Sequence, residues 1–114
     1  MENLFIKEKK WNGKVKEYDE DDILIFDGEY LEGKRNGIGK EYKDGNLIFE
    51  GEFKNGQRNG KGKKYNFGLL RYEGEYLNGK MHGKGKEYNF KGQVNYEVEY
   101  KNGKRFNVNH ESLV

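Results

Sequence analysis

The chain has 114 residues, of which 32% are hydrophobic, 37% are charged and 15% are aromatic, and its mean hydropathy is −1.23. A chain this short and this polar has room for one domain and excludes a thick aliphatic core. Its 22 basic and 20 acidic residues give a net charge of +2, which is too small to indicate nucleic acid or an anionic membrane as the partner.

Cysteine is absent, which excludes a disulfide framework, a thiol nucleophile and a thiolate metal site, and favours an intracellular location. The only apolar run near the N-terminus is Leu4 to Ile6, far shorter than a signal sequence or a membrane span. We therefore expect a soluble cytoplasmic protein, with association to a membrane or to the cytoskeleton left open.

One phrase recurs along the chain. It reads FDGEYLEGKRNGIGKEY from Phe26, FEGEFKNGQRNGKGKKY from Phe49 and YEGEYLNGKMHGKGKEY from Tyr72, and it fades to YEVEYKNGKRF from Tyr96. The starting residues lie 23, 23 and 24 positions apart, a period typical of stacked repeats whose units cannot bury a core alone. The segment KWNGKVKEY at 10–18 matches the second half of the phrase.

These spacings predict a single repeat domain that covers 1–114. We divide it into a degenerate half-repeat with an acidic loop, three full repeats, a degenerate last repeat and a tail, at 10–25, 26–48, 49–71, 72–95, 96–106 and 107–114.

Each repeat predicts a β-hairpin. In FEGEF from Phe49 the side chains alternate between two faces, as in a half-buried strand. The dipeptide Asn55-Gly56 then supplies the positive φ angles of a tight turn, and a second strand follows. The turns between repeats are predicted at Asp44-Gly45, Phe67-Gly68 and Lys91-Gly92.

Glycines recur inside these strands, where a neighbouring group must approach closely to justify them. They are Gly28, Gly51 and Gly74 on the first strands, and Gly37/Gly39, Gly60/Gly62 and Gly83/Gly85 on the second strands. We expect the rings of one hairpin to lie over the glycines of its neighbour. We also expect cross-strand pairs between the acidic and basic positions Glu29, Glu52, Glu75, Glu99 and Lys40, Lys63, Lys86.

The repeated phrase resembles the signature of the MORN repeat family (membrane occupation and recognition nexus), which is close to Y-x-G-x-[FYW]-x-x-G-x-x-x-G-x-G. The match is nearly complete in 26–42, 49–65 and 72–88. Val15 and Val98 replace glycines at the two ends, as suits terminal repeats. The resemblance implies an all-β fold: an elongated, single-layer, twisted antiparallel sheet of stacked β-hairpin repeats with a groove along one face. About nine strands at ~4.8 Å each would give a ribbon on the order of 45 Å long.

Each repeat carries a pair of rings on one strand face. We interpret the first ring of each pair as part of a packing ladder. The second rings are the candidate partner-binding groove, because a single-layer sheet has no second layer to cover them and exposed aromatics are good anchors. These residues are Tyr30, Phe53, Tyr76 and Tyr100. The sequence does not decide which face holds Tyr42, Tyr65 and Tyr88.

Basic residues beside the hairpin turns form a candidate edge for anionic ligands. They are Lys34, Arg35, Arg58, Lys80, Lys104 and Arg105. The alternative is a solvated edge that discourages pairing between sheets. The acidic run Asp19 to Asp22 lacks the spacing of a calcium loop, and the repeat explains the remaining glycines and glutamates. We therefore predict no catalytic residue, no metal site and no cofactor.

The favoured function is a non-enzymatic protein–protein interaction or scaffold module. It would bind a helix or extended segment of a partner, or a second copy of itself, through the aromatic-lined groove. One alternative is a peripheral binder of anionic membrane lipids through the basic edge, and another is an inhibitor or antitoxin that acts by complex formation. Nucleic acid is not expected as a partner.

Overall fold

The computed structural model describes residues 4–6 and 11–110, and these form one antiparallel sheet of ten strands without a helix in those ranges. The strands are β1 (Leu4–Ile6), β2 (Gly13–Asp19), β3 (Leu24–Leu31), β4 (Lys34–Lys43), β5 (Asn46–Lys54), β6 (Gln57–Asn66), β7 (Leu69–Leu77), β8 (Lys80–Tyr88), β9 (Val94–Lys101) and β10 (Lys104–His110). Each strand pairs only with its chain neighbours, and the ribbon measures 50 × 24 × 24 Å. The all-β, single-layer prediction is confirmed.

The two ends of the sheet differ from the repeat pattern. The first strand, β1, pairs with β2, although the sequence pattern predicted no strand there. At the other end β10 continues to His110, four residues into the segment expected to be a tail, because backbone pairing with β9 goes on after the last ring of the pattern. The parts of these predictions that concern 7–10 and 111–114 lie outside the described residues.

The turns inside each hairpin, here called the inner turns, occupy 32–33, 55–56, 78–79 and 102–103. In Asn55-Gly56 the φ angles are 52° and 86°, the two positive values of a type I′ turn. The amide of Gly56 donates to the carbonyl oxygen of Arg35 at 2.9 Å, and Gly79 donates to Arg58 at 2.9 Å. Each inner turn is therefore hydrogen-bonded to the preceding repeat.

The connections on the opposite edge, here called the outer turns, vary in length. Asp44-Gly45 and Phe67-Gly68 are two-residue turns with positive φ angles. The connection after β8 is longer, and the side-chain oxygen of Asn89 accepts hydrogen bonds from the amides of Lys91 and Gln93 at 2.9 and 3.1 Å. This loop contains the extra residue of the 24-residue spacing. The acidic run forms a similar loop, since Asp19 Oδ1 accepts from the amides of Asp21 and Ile23.

The core is a zigzag of aromatic rings along one face of the sheet. Its order is Tyr30, Phe26, Phe53, Phe49, Tyr76, Tyr72 and Tyr100. Neighbouring ring centroids lie 5.0 to 6.4 Å apart, and all contacts after the first are edge-to-face, the geometry that aromatic quadrupoles favour. Val15 and Val98 are buried at the two ends of this zigzag. The rings of successive repeats thus form one continuous core.

The expected placement of rings over a neighbour's glycines is only partly correct. A Cβ atom on Gly28 or Gly39 would lie 2.6 or 2.7 Å from the ring of Phe26, which belongs to the same hairpin. The neighbouring repeat contributes Phe53, whose ring would lie 3.2 Å from a Cβ on Gly39. The first ring leans along its own strand and covers two glycines that face each other across the hairpin.

The expected charge pairs are also shifted. Lys40 lies opposite Asp27 and Glu50, rather than opposite Glu29. A bulge between Gly28 and Tyr30 accommodates two extra residues of β4 and brings glycine opposite glycine. Lys63 and Lys86 follow the same register and face the first acid of each neighbouring strand.

Candidate functional site

The strands present two different faces, because successive side chains of a strand point to opposite sides. The ring face carries the aromatic zigzag. The charged face carries the lysines and glutamates that alternate with those rings along the same strands. A candidate site has to be assigned to one face or the other.

The four predicted partner-binding rings lie on the ring face and are buried. Tyr30, Phe53, Tyr76 and Tyr100 are 4 to 9% exposed. The exposure on which that prediction depended is therefore absent, because the zigzag and the side chains above it cover the rings without a second sheet. Contact of these rings with a partner stays a prediction.

Arginines cover the ring face. The guanidinium of Arg35 lies 4.3 Å from the ring centroid of Phe26, and that of Arg58 lies 4.2 Å from the centroid of Phe49. Arg105 stands 5.5 Å from the centroid of Tyr96. At such distances the ring quadrupole attracts the cation, so the arginines form a polar layer that covers the core.

Glutamates fix these arginines in place. Glu17, which is 1% exposed, accepts hydrogen bonds from Arg35 at 2.8 and 3.0 Å and from the hydroxyl of Tyr30 at 2.6 Å. Glu41 accepts from Arg35 at 3.2 Å and from Arg58 at 2.6 Å. A charged network therefore runs above the rings, and its buried carboxylate is fully engaged.

This environment shifts the pKa values of its members. Burial, followed by the hydrogen bond to Glu17, raises the pKa of Tyr30. Burial and the hydrogen bond to Glu87 raise the pKa of Tyr100 to about 12. Burial alone would lower the pKa of Arg35, but its bonds to Glu17 and the nearby carboxylates raise it overall. Tyr30 and Tyr100 therefore stay neutral and Arg35 stays charged across the physiological range.

The six residues of the predicted basic edge separate into two groups. Arg35, Arg58 and Arg105 pair with glutamates above the rings. Lys34, Lys80 and Lys104 are exposed beside the inner turns. Lys34, Lys80, Lys104 and the exposed side chain of Arg105 form the solvent-facing part of this edge, and binding of an anionic ligand by the six residues stays a prediction.

The charged face is ordered by cross-strand pairing. One row of alternating sign follows the long axis of the ribbon through Asp27, Lys40, Glu50, Lys63, Glu73, Lys86 and Glu97. The hydroxyl of Tyr65 donates to Glu50 and that of Tyr88 to Glu73, each at 3.0 Å, which places both tyrosines on this face. Burial and these bonds raise the pKa of both hydroxyls.

A groove of about 810 Å³ crosses the charged face from β4 to β9. Its floor includes the facing glycines of the sheet. The charged side chains that line it are Glu50, Lys61, Lys63, Glu73, Glu75, Lys84, Lys86, Glu97 and Glu99. Sequence reasoning missed this groove, although the alternation of these charges with the ring-face residues was a signal for it.

The part of the chain that the structure describes holds no group of three or more acidic, histidine or cysteine side chains that could bind a metal. Within the same residues, no helix is long and apolar enough to span a membrane.

An open sheet built from stacked hairpins, with rings packed on one face and a groove on the other, defines a repeat protein of the stacked β-hairpin class. The family model described as MORN repeat matches three segments, 26–47, 49–65 and 72–94, which make up more than half of the chain. The chain belongs to the MORN repeat family. Repeats of this family are non-enzymatic modules for interaction with proteins or membranes.

A solved structure described as "Crystal Structure of TarM" has a similar fold, with a TM-score of 0.56 and 17% sequence identity. The alignment covers 92% of this chain but only 21% of that chain, so the likeness concerns the fold of one part of that protein. A search of curated proteins gives no match.

Proposed function

We propose that this chain is a non-enzymatic interaction module that binds a segment of a partner protein in the groove of the charged face. The observation that carries this proposal is the groove itself, which lies on the face that the core does not use.

The dimensions of the groove fit a peptide segment. It crosses six strands, which at ~4.8 Å per strand gives a length of about 25 Å. An extended chain rises roughly 3.3 Å per residue, so about seven residues fit along it. A helix of roughly sixteen residues would have the same length.

The chemistry of the walls indicates the kind of segment. The lining residues include both lysines and glutamates, so a partner that places opposite charges against them gains specificity and a faster association rate. We therefore expect a polar segment with charges of both signs, whose binding weakens at high salt.

The ring face supports this function indirectly. Because the zigzag fixes each hairpin against the next, the spacing of the groove walls is set before a partner arrives, which lowers the entropic cost of binding. Binding by the rings themselves is the alternative within the same function, and the test distinguishes the two surfaces.

The test begins with capture of binding proteins from cells by the wild-type chain and by two double variants. Lys61→Glu with Lys84→Glu inverts charges in the groove, whereas Lys43→Glu with Lys54→Glu makes the same change of net charge at exposed lysines outside it. A partner that is retained by the wild type and the control variant is then purified and titrated directly.

We expect the groove variant to bind this partner at least about tenfold more weakly and to keep the wild-type melting temperature. Equal binding by the groove variant would refute the groove as the site. Loss of binding in Phe53→Ala or Tyr76→Ala without a change in melting temperature would assign the site to the rings instead.

Two further measurements separate the other functions. Light scattering at two protein concentrations shows whether a second copy occupies the groove, in which case the groove variant alone becomes monomeric. Pelleting with vesicles of phosphatidylserine at low salt tests the lipid alternative, which a negative result would remove.

A further inference from the structure

The walls of the groove on the charged face are divided into bands of charge. Successive strands contribute side chains of opposite sign, and on β6 to β9 both walls of the groove carry the same sign. The bands are Glu50 on β5, Lys61 and Lys63 on β6, Glu73 and Glu75 on β7, Lys84 and Lys86 on β8, and Glu97 and Glu99 on β9. The charge of the groove therefore repeats every two strands.

The register of the sheet produces these bands. Gly62 lies opposite Gly74, which lies opposite Gly85, so the residues on either side of each glycine align across the strands. Residues two apart on a strand share a face, and each glycine thus stands between two side chains of like charge. The sequence Lys-Gly-Lys occurs on β6 and β8, and Glu-Gly-Glu occurs on β5 and β7.

The bands are accessible to a ligand from solvent. The side chains of Lys61, Glu73, Glu75, Lys84 and Lys86 are exposed, and all of them line the groove. They lie on the face opposite the rings. A ligand in the groove can therefore reach them without displacing any side chain of the core.

Bands of the same sign lie about 9.6 Å apart, because neighbouring strands of a sheet are ~4.8 Å apart. A partner segment can match every band only if its own charges recur on one side at this distance. The regular conformations of a peptide differ in this repeat distance, so the bands discriminate between them.

The polyproline II conformation has the required repeat. It has three residues per turn and a rise of roughly 3.1 Å per residue, so every third side chain returns to the same side after about 9.3 Å. Over the ~25 Å length of the groove, the mismatch between such a segment and the bands stays under about 1 Å.

A β-strand and an α-helix fit the bands less well. Side chains on one side of a strand recur every ~6.7 Å or ~13 Å. A helix returns to nearly the same side after seven residues, or about 10.5 Å, and its mismatch exceeds about 2 Å over the same length. With its side chains a helix is also roughly 10–12 Å wide, whereas the walls are only two residues, about 6.8 Å, apart along a strand.

The backbone of the sheet gives a second reason to favour polyproline II. Each strand from β5 to β9 pairs with a strand on both sides, so a segment that crosses them cannot join the sheet as a further strand. A polyproline II segment makes no internal backbone hydrogen bonds and keeps its backbone hydrated. It therefore needs no backbone partner in the groove.

We propose that the groove binds a polyproline II segment with a basic residue at every third position and an acidic residue in each triplet. The basic residues face the glutamates of β5, β7 and β9, and the acidic residues face the lysines of β6 and β8. An acid two residues after a base lies about 6.2 Å further along the segment, within about 2 Å of the lysine band. This inference rests on the proposed function, since it specifies the partner of the same groove.

The test is calorimetric titration of the folded chain with two capped peptides at low salt. One peptide contains three consecutive Lys-Pro-Glu triplets and is about 28 Å long. The other has the same composition in blocks of three lysines, three prolines and three glutamates. We expect the triplet peptide to bind at least about tenfold more tightly and to lose affinity at high salt.

Equal binding of the two peptides, or no saturable binding of the triplet peptide, would overturn the inference. Tighter binding of an alanine-based helical peptide of the same length, with lysines and glutamates alternating along one side, would overturn it as well.

Variants of the chain test the bands directly. Glu73→Lys with Glu75→Lys joins three bands into one positive stretch and should weaken binding of the triplet peptide roughly tenfold. Glu20→Lys with Asp21→Lys makes the same change of net charge in the loop after β2, outside the groove, and should leave the binding unchanged. Melting temperatures of both variants check that the fold is kept.

A charge reversal in the peptide should compensate for the reversal in the groove. A triplet peptide with glutamate in place of its central lysine should bind the Glu73→Lys, Glu75→Lys variant more tightly than it binds the wild type. The opposite order of affinities would contradict the alignment of the triplets with the bands.

The partner captured from cells separates this inference from the proposed function. If that partner depends on Lys61 and Lys84 but the triplet peptide does not bind, the groove is the site and the three-residue period is wrong. If that partner binds the Lys61→Glu, Lys84→Glu variant as tightly as the wild type, the groove itself is refuted.

Discussion

The ring face and the charged face are built from alternate residues of the same strands, yet they use charge in opposite ways. On the ring face, Glu17 is buried and bonds to Arg35 and Tyr30 above packed rings. On the charged face, Lys63 is paired across the strands with Glu50 and Glu73 at the rim of an open groove. Removal of one partner from a buried ion pair strongly lowers the stability of the fold, whereas an exposed ion pair contributes little to it. Stability therefore depends mainly on the ring face. The side chains of the charged face can change to suit a partner with little loss of stability.

The largest expected effect comes from the rings. Phe49→Ala removes a ring that is 0% exposed and that contacts the rings of two repeats. We expect a loss of about 3–5 kcal/mol in the free energy of unfolding, measured by urea denaturation. Ile38→Ala on the charged face is the control, since Ile38 is 58% exposed and its loss should cost under about 0.5 kcal/mol. Equal losses would contradict the division between the faces.

The next effect concerns the charges. Glu17→Gln leaves the shape of the side chain but removes the charge that Arg35 and Tyr30 require, and we expect a loss of about 3 kcal/mol. The matched change on the charged face, Glu73→Gln, should cost less than about 1 kcal/mol. Denaturation of both variants at low and high salt checks this, because only the exposed pair should respond to screening.

An alkaline pH should weaken the ring face more than the charged face, where the pKa values of the Tyr65 and Tyr88 hydroxyls are also raised. The pKa values of Tyr30, Tyr72 and Tyr100 are raised in the folded chain, chiefly by burial, whereas unfolded tyrosine titrates near pH ~10. The unfolded state therefore loses protons first, so the contribution of these tyrosines to stability is constant below about pH 10 and falls as the pH rises toward about 12. Denaturation at several pH values, with phenolate absorbance as a second signal, measures this fall. Tyr100→Phe should make it shallower, and a stability that rises with pH would contradict the assignment.

The smallest effect lies at the edge between the two faces. The Nδ1 atom of His82 accepts a hydrogen bond from the amide of Asn102 at 3.3 Å, as Asn59 does from Asn78 at 3.2 Å. His82→Asn should therefore leave the melting temperature unchanged, whereas His82→Leu should cost about 1 kcal/mol. A larger loss in the asparagine variant would show that the ring of the histidine contributes packing as well.

Much of the fold could be predicted from the sequence, because the repeat period, the alternation and the Asn-Gly turns act locally. The strand order and the positions of the two-residue turns followed from them, whereas the longer loop between β8 and β9 did not. The register did not, since the bulge after Gly28 brings glycine opposite glycine and shifts the partner of Lys40. Bulges depend on packing across the sheet rather than on one strand.

The site was harder to predict because burial depends on what covers a residue. The rings were expected to be exposed in a single layer, and the cover that the arginines provide was not recognised. The spacing of Arg35 and Glu41, and the change to Lys64 and Met81 in the corresponding positions, were visible in the sequence. Their role in covering the rings could be recognised only from the structure, which shows that these side chains lie together on the ring face.

The two edges of the ribbon also differ in how much change they tolerate. Inner turns are hydrogen-bonded to the repeat before them, so an insertion there would disturb two repeats at once. Outer turns already range from the two residues of Asp44-Gly45 to the longer loop closed by Asn89. The strands joined by these two connections pair in the same register, with Glu41 opposite Phe49 and Glu87 opposite Tyr96. New segments can therefore be grafted along one edge without redesign of the core. This makes the ribbon a scaffold for display, with attachment points about 10 Å apart at two strand spacings.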